Sequence, residues 1–318
     1  MTAAVYANYG APEVLQIKEV TKPSPKANEV LIKIHATAVN SGDCRLRKAD
    51  PFAVRFIFGL LKPKQGILGV VLAGEVVAVG HAVTKFEVGD QVFGKTGMSF
   101  GAYAEYKCMP ETGVLAIMPE LSSYETAAAI PFGGTTALHF IKKANIQPGQ
   151  KVLIYGASGA VGTAAVQLAK YFGAEVTAVC STANVALVKS IGANHVMDYT
   201  QTDFATSGEV YDVVFETVGK APFSSAIQVL KPNGTLLLAS AWPADMLKGL
   251  WTSMTSSKKV VAGGIVETAE DMAFLAQLME TGKLKSVIDK TYPIAQIADA
   301  HRYVDGGHKK GNVVVRVV

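Results

Sequence analysis

The sequence predicts an α/β protein in which a doubly wound parallel sheet is joined to a second, mostly β domain. Three observations carry this. Residues 151–162 read Lys-Val-Leu-Ile-Tyr-Gly-Ala-Ser-Gly-Ala-Val-Gly, an apolar run that stops at a glycine, with two more glycines at three-residue spacing. From Ser122 onward, short β-branched runs alternate with helical patterns. Before Ser122 the chain is a succession of short β-branched runs separated by turns rich in Pro, Gly and Asn. Alternation argues for crossover helices over a parallel sheet, and the earlier succession for a small, partly open barrel.

Within the glycine segment, Val152 to Tyr155 has the composition of a buried parallel strand, and Thr163 to Lys170 continues with helical periodicity. A second strand, Glu175 to Cys180, arrives where a βαβ unit needs it. Strand, glycine turn and helix are the parts of a dinucleotide-binding unit. One glycine allows the tight turn, one lets backbone N–H groups approach a pyrophosphate, and one lets helix and strand pack closely. The candidate phosphate cradle is therefore Gly156, Ala157, Ser158, Gly159, Ala160, Val161 and Gly162, at a helix N-terminus whose partial positive charge favours anions. The spacing is G-x-x-G-x-x-G, and a glycine turn of this kind also arises from packing alone; the second strand is what favours the binding reading.

The remaining elements follow in order. The N-terminus enters a strand-like pattern at once, and Val30 to Ala36, Gly74 to Val79 and Gln91 to Phe93 read as strands. Ser122-Ser-Tyr-Glu125 has the form of a capping box. After the βαβ unit come strands at His195–Met197, Tyr211–Phe215, Thr235–Ala239 and from Lys258 to Ala262. A helix over Glu270–Thr281 ends at Gly282, a second covers Ile297–Val304, and Asn312–Val318 is a closing strand expected to return to the N-terminal β domain.

Composition narrows the function classes. The chain has 318 residues, 49% of them apolar and 18% charged, which suits one large or two ordinary globular domains. A net charge of +4 without a basic block gives no argument for nucleic acid. Cys44, Cys108 and Cys180 are scattered without C-x-x-C spacing, as expected of a reduced, cytoplasmic protein without disulfides. No secretory signal pattern is visible, and no run of roughly 20 apolar residues could span a membrane. No membrane partner is expected.

At this point the residues carry a family resemblance. Tyr9-Gly-Ala-Pro-Glu-Val-Leu15, Val39-Asn-Ser-Gly-Asp43, Leu72-Ala-Gly-Glu-Val76, Val88-Gly-Asp-Gln-Val-Phe-Gly94 and Gly101-Ala-Tyr-Ala-Glu-Tyr106 occur in order. Ala128-Ala-Ile-Pro-Phe-Gly-Gly-Thr-Thr-Ala137, the glycine loop, Tyr211-Asp-Val-Val-Phe-Glu-Thr-Val-Gly219, and a final string from His301 to Asn312 follow. Over essentially its whole length the chain resembles the zinc-free medium-chain dehydrogenase/reductases, close to NADPH:quinone oxidoreductases and enone reductases. The resemblance implies a GroES-like, partly open β-barrel catalytic domain (1–121, completed by 265–318), a Rossmann NADP-binding domain (122–264) and an active-site cleft. It also implies a homodimer formed at the sheet edge near Val260–Ile265.

Zinc-dependent relatives carry a ligand cysteine where this chain has Asn40, and Gly-His-Glu where it has Gly69-Val70-Val71. An amide and a valine cannot replace a thiolate and an imidazole, and the cysteine-rich structural zinc lobe is missing, so no metal site is expected. The six histidines show no ligand spacing. Without a Lewis acid, conjugated acceptors become the natural substrates, because their own π-system spreads the developing charge.

The resemblance places Asn40 beside the acceptor as a hydrogen-bond donor, where the alternative is a turn-stabilising Asn; Asp43 orients that loop. A tyrosine usual two positions after Asp43 is here Arg45. Arg45 and Arg47 either face an anionic substrate or form a solvated helix face. Thr136 matches a residue on the nicotinamide side, or is a helix-interior threonine bonded to the preceding turn. At the end of the second strand, Cys180-Ser-Thr-Ala-Asn184 has no acid to hold a ribose 2′-OH. Ser181 and Asn184, with Tyr199 from the next strand end, are therefore the candidate 2′-phosphate contacts, although relatives often carry a lysine at the position of Asn184. Val218, Lys310 and Asn312 complete the implied NADPH site. The expected activity is NADPH-dependent hydride transfer to a quinone or small α,β-unsaturated carbonyl. The alternatives are an enoyl-thioester reductase, or a cofactor-binding sensor with little turnover.

Overall fold

The computed structural model describes residues 1–64, 66–241 and 243–318, the Pro243 side chain excepted, and forms two compact units. The first comprises Met1–Phe132, Thr268–Glu280 and Ser286–Val318; the second comprises Gly133–Glu267 and Thr281–Lys285.

The first unit opens with an antiparallel pair, β1 (Thr2–Val5) and β2 (Gln16–Glu19). Its central strand is β3 (Glu29–Val39), buried along most of its length; Val30, Ile32, Ile34, Ala36 and Ala38 make one face wholly apolar, while Glu29, Lys33 and His35 leave the other partly exposed. It leads into α1 (Ser41–Lys48) and the short α2 (Val54–Phe58). β4 (Val71–Val79), β5 (Gln91–Lys95), β6 (Tyr106–Pro110), β7 (Val114–Ile117) and α3 (Tyr124–Ala128) follow. β4 lies along one side of β3; β6 takes the first half of its other side, from Glu29 to Lys33.

The second unit is built on α4 (Pro131–Ala144), β8 (Lys151–Tyr155), α5 (Ala160–Tyr171), β9 (Glu175–Cys180), α6 (Val185–Ser190) and β10 (His195–Asp198). β11 (Tyr211–Glu216), α7 (Phe223–Gln228), β12 (Leu230–Leu238), α8 (Pro243–Thr255) and β13 (Lys259–Ala262) complete it. Its six strands are all parallel, in the order β10-β9-β8-β11-β12-β13. The chain order reverses between β8 and β11, and ligands of open parallel sheets bind at the carboxyl ends of such strands. Leu153, Val179, Val214 and Leu236 fill one core of this sheet. α5 is buried along nearly its whole length, which explains its run of Ala and Val.

The chain then returns to the first unit through α9 (Ala269–Glu280), β14 (Ile288–Pro293), α10 (Ile297–Asp305) and β15 (Asn312–Arg316). β15 pairs with the second half of β3, Val313 opposite Val39, so the closing strand joins the N-terminal β region as its pattern predicts.

Several sequence expectations need correction. The cap near Ser122 lies one residue later: Ser123 Oγ accepts from Thr126 N at 3.2 Å, and Glu125 accepts from Arg316 instead of closing a capping box. α5 starts at Ala160 rather than Thr163, because its first turn is made of small residues without periodicity. Arg47 is neither solvated nor open to a substrate. It is fully buried, with Nη2 donating to Asp305 Oδ2 at 2.5 Å. β2, β6, β7 and β14 were not marked by their sequence. β2 is exposed throughout and β14 is half-exposed, so neither shows the alternation that reveals a strand.

Candidate functional site

Two groups of predicted residues are assembled, one in each unit. In the second unit the glycines divide the work. Gly156 adopts φ +79°, and a Cβ there would meet Val218 Cγ1 at 2.6 Å. Gly162 packs against the turn, where a Cβ would lie 2.2 Å from Gly156 O and 2.7 Å from Ala157 Cα. Gly159 is different. A Cβ there would meet only Gly156 O, at 3.6 Å, so the fold does not require glycine at that position. Gly159 is the N-cap of α5 and has no side chain to cap it. The first-turn N–H groups of Ala160, Val161 and Gly162 thus have no side-chain cap, at the positive end of the helix. This is the shape a pyrophosphate requires.

Beside this cradle, Asn184 Nδ2 donates to Ser158 Oγ at 3.1 Å and to Ser181 Oγ at 3.2 Å, while its buried Oδ1 has no partner. Tyr199 N donates to Cys180 O at 3.1 Å, and the Tyr199 ring lies 6.4 Å from that of Tyr155. Ser158, Ser181, Asn184, Tyr199 and Val218 therefore share the corner at the ends of β8, β9 and β11. Thr136 is buried on α4, the helix whose Gly133 abuts Ala160 O.

Two acids shape this corner that the sequence reading passed over. Glu216, buried at the end of β11, accepts from Val218 N at 3.0 Å, Gly219 N at 2.7 Å and Lys220 N at 3.1 Å. Burial raises its pKa, against the pull of those N–H donors. It fixes the loop that carries Val218; an acid ending an apolar strand just before Thr-Val-Gly was its only signal. Asp198, at the end of β10, reaches the Ser181–Asn184 loop by accepting from Thr182 Oγ1 at 2.5 Å. Thr200 N and Oγ1 and Gln201 Nε2 also donate to it, and its pKa is lowered by these bonds, the Thr182 bond foremost. Its oxygens are engaged in building the turn.

In the first unit, β3 ends where Asn40 caps α1. Asn40 Oδ1 accepts from Asp43 N at 3.1 Å, and Asp43 Oδ2 accepts from Asn40 N at 3.2 Å and Asn40 Nδ2 at 2.5 Å. This reciprocal box fixes which end of the amide is nitrogen. One Nδ2 hydrogen is used on Asp43, and the amide carries a second. Asp43 is fully buried and its pKa is pushed up to about 7, chiefly by desolvation. The Tyr103 hydroxyl is close enough to oppose that shift, yet it and Asp43 Oδ1 close no bond of normal geometry. Lys310 and Asn312 also belong to the first unit. Lys310 N donates to Asp289 Oδ2, and Asn312 Nδ2 donates to Val287 O.

Histidines take structural positions. His35 stacks on Tyr124, His195 contacts Glu175, and His301 is buried with Nδ1 3.4 Å from Cys44 Sγ.

Comparison with known proteins agrees with this architecture. The family described as the alcohol dehydrogenase GroES-like domain matches residues 26–120, and that described as zinc-binding dehydrogenase matches residues 191–315. The chain is 34% identical to a chloroplastic quinone-oxidoreductase homolog of Spinacia oleracea, covering 99% of this chain and 98% of the relative. It is 33% identical to the 2-methylene-furan-3-one reductase of Solanum lycopersicum, covering 100% of this chain and 79% of that protein. The solved quinone oxidoreductase of Coxiella burnetii superposes with a TM-score of 0.91 at 28% identity, over 100% of this chain and 99% of that one.

Zinc, named in one of those family descriptions, does not fit the donor set here. Asn40, Val70 and Val71 offer no thiolate, imidazole or carboxylate, and among the described residues no three His, Cys, Asp or Glu side chains converge. A nicotinamide cofactor, which the fold implies, does fit, since the open position at Gly159 is a cradle that a side chain would fill. The chain belongs to the medium-chain dehydrogenase/reductases, as an oxidoreductase of the zinc-free, quinone oxidoreductase-like branch.

Proposed function

We propose that this protein is an NADPH-dependent reductase of quinones or small α,β-unsaturated carbonyls. The observation that carries the reading is the corner at the ends of β8 and β9. There an uncapped helix start with open space at Gly159 lies beside Ser158, Ser181 and Asn184, with no carboxylate on any of the three. The first-turn N–H groups of α5 would hold the pyrophosphate. Ser181 Oγ, Asn184 Nδ2 and the Tyr199 hydroxyl would donate to the 2′-phosphate, with Glu216 keeping the Val218 loop in place. Thr136, Lys310 and Asn312 are assigned to the cofactor on family likeness.

When bound, the cofactor supplies a hydride from its reduced nicotinamide ring. In an enone the hydride would bond the β-carbon, the displaced π electrons would shift to leave an enolate oxygen, and a proton from solvent would add at the α-carbon; in a quinone the same two electrons would leave a hydroquinone anion that solvent protonates. Asn40 Nδ2 would donate to that oxygen as its charge grows, an interaction stronger in the transition state than before it. Asp43 positions Asn40 through the 2.5 Å bond. The relatives named for quinones and for a furanone support both acceptor classes. We also propose a homodimer through β13, one of the two edge strands of its sheet, where light scattering should report twice the chain mass.

The test is cofactor oxidation with benzoquinone, naphthoquinone, methyl vinyl ketone and crotonyl-CoA. Turnover with the quinones or the ketone is expected. Turnover with crotonyl-CoA alone would replace this reading by an enoyl-thioester reductase. Tight NADPH binding without turnover would replace it by a binding protein.

A further inference from the structure

A cavity of about 550 Å³ lies within the second unit, away from the cofactor corner. Its volume is that of a small-molecule site. α5 carries the glycine cradle at its first turn and this cavity at its last, where Lys170 and Tyr171 line it. The helix has 12 residues, so the two places are about 18 Å apart.

The lining is one-sided in charge. Lys170, Lys283 and Lys285 contribute to it, and no aspartate or glutamate does. Lys170 has a local explanation. Its Nζ donates to Ala174 O at 3.3 Å and to Asn194 Oδ1 at 2.9 Å, close to the helix C-terminus where a cation is favoured. Lys283 and Lys285 have no such explanation, because they come from the segment after α9 and lie on neither α5 nor α6. That segment is fixed through its backbone. Gln167, buried on α5, accepts from Lys285 N through Oε1 at 2.8 Å and donates to Lys285 O through Nε2 at 3.0 Å. Leu284, between the two lysines, is buried, while both lysines are exposed. The chain that carries the two charges is therefore held in place before any ligand arrives. Ammonium groups gathered around one cavity repel one another until an anion with more than one charge joins them. Lysine acts as a point charge with rotatable donors, so phosphate and carboxylate satisfy it alike.

We propose that this cavity is a second binding site, separate from the cofactor, for a small anion with two or more negative charges, a phosphate ester or a polycarboxylate. Lys283 and Lys285 supply its charge and Gln167 positions them. The site goes beyond the reductase reading and does not depend on it.

The experiment is calorimetric titration of the full chain with pyrophosphate, citrate and benzoate. It is run on wild type saturated with NADPH and on Gly159→Val, two independent ways of closing the glycine cradle to pyrophosphate. Pyrophosphate and citrate should bind at one site in both proteins, and the monoanion benzoate about tenfold more weakly or less. Lys283→Gln/Lys285→Gln should weaken pyrophosphate and citrate about tenfold or more, the effect of losing charged hydrogen bonds, and leave NADPH affinity unchanged. Lys18→Gln/Lys62→Gln makes the same change of net charge in the first unit and should keep anion affinity within about twofold of wild type, since distant charges are screened. Absence of pyrophosphate and citrate binding in wild type and in Gly159→Val would overturn the proposal. So would benzoate binding as tightly as citrate, or equal losses in the two double variants, which would assign binding to overall charge. Displacement of pyrophosphate by NADPH would assign it to the cradle and overturn the second site. A chain that binds no NADPH would overturn the reductase reading alone, because the Gly159→Val titration does not involve the cofactor.

Discussion

At the scale of single residues, three glycines of one motif have three separable roles. Gly162→Ala would force a Cβ to within 2.2 Å of a backbone oxygen, so it should destabilise the fold by about 1–3 kcal/mol. Gly159→Val should leave the melting temperature nearly unchanged and abolish measurable NADPH binding, because its side chain would enter only the cradle. Thermal unfolding and cofactor fluorescence titration read the two effects independently. An unchanged cofactor affinity in Gly159→Val would refute the cradle assignment. The motif string located the three glycines, but only the surroundings of each Cβ distinguish packing from binding.

At the scale of elements, α1 joins structure to chemistry through its N-cap. Asn40 satisfies a helix N–H and is proposed to donate its second amide hydrogen to the acceptor, so replacement by alanine would confuse the two roles. Asn40→Ala should cost about 1 kcal/mol of stability and also lower kcat. Asn40→Ser retains a capping oxygen. It should hold stability within about 0.5 kcal/mol of wild type while kcat falls on the order of a hundredfold, the usual effect of removing one such donor. A Ser variant with full activity would show that Asn40 only caps. The same helix shows where sequence reading stops. Asn40 and Asp43 were singled out by the family resemblance, and the capping box they form, although local, emerges only in the structure. The burial of Arg47 was not legible, since its partner Asp305 lies on α10, far away in the chain. Asp198 was missed likewise, because Thr182 becomes its neighbour only once β9 and β10 pair; Glu216 was missed although it holds the N–H groups of the residues that directly follow it, since a carboxylate at a strand end has no distinctive spacing. The repeated strand–helix alternation, by contrast, placed every strand of the second unit from sequence, although β12 begins at Leu230 rather than at Thr235. The strands it left unmarked, β2, β6, β7 and β14, all lie in the first unit, where pairing is set by long-range register rather than by local pattern.

At the scale of the whole molecule, two buried groups give opposed pH dependences. Burial, with the nearby Arg47 charge, lowers the His301 pKa from 6.5 to about 3. The unfolded chain therefore binds a proton that the fold resists, so this contribution is full above about pH 6.5 and is lost as pH falls toward 3. Asp43 has the reverse sign. Its pKa rises from 3.8 to about 7, so the fold holds a proton that the unfolded chain releases, and stability falls as pH rises through that window. Asp43→Asn should therefore make the melting temperature climb more steeply between about pH 4 and 6.5 than in wild type. His301→Asn should make it decline across the same range. Identical pH profiles for all three proteins would contradict this electrostatic account.

The central claim is that the corner formed by Ser158, Ser181, Asn184 and Tyr199 receives the 2′-phosphate of a hydride-donating cofactor. The most direct measurement is the ratio of kcat/KM for NADPH to that for NADH, with benzoquinone as acceptor, in wild type and in Ser181→Asp. The wild-type ratio should lie well above one and invert when a carboxylate is placed at position 181. A wild-type preference for NADH, or a ratio that Ser181→Asp leaves unchanged, would contradict it.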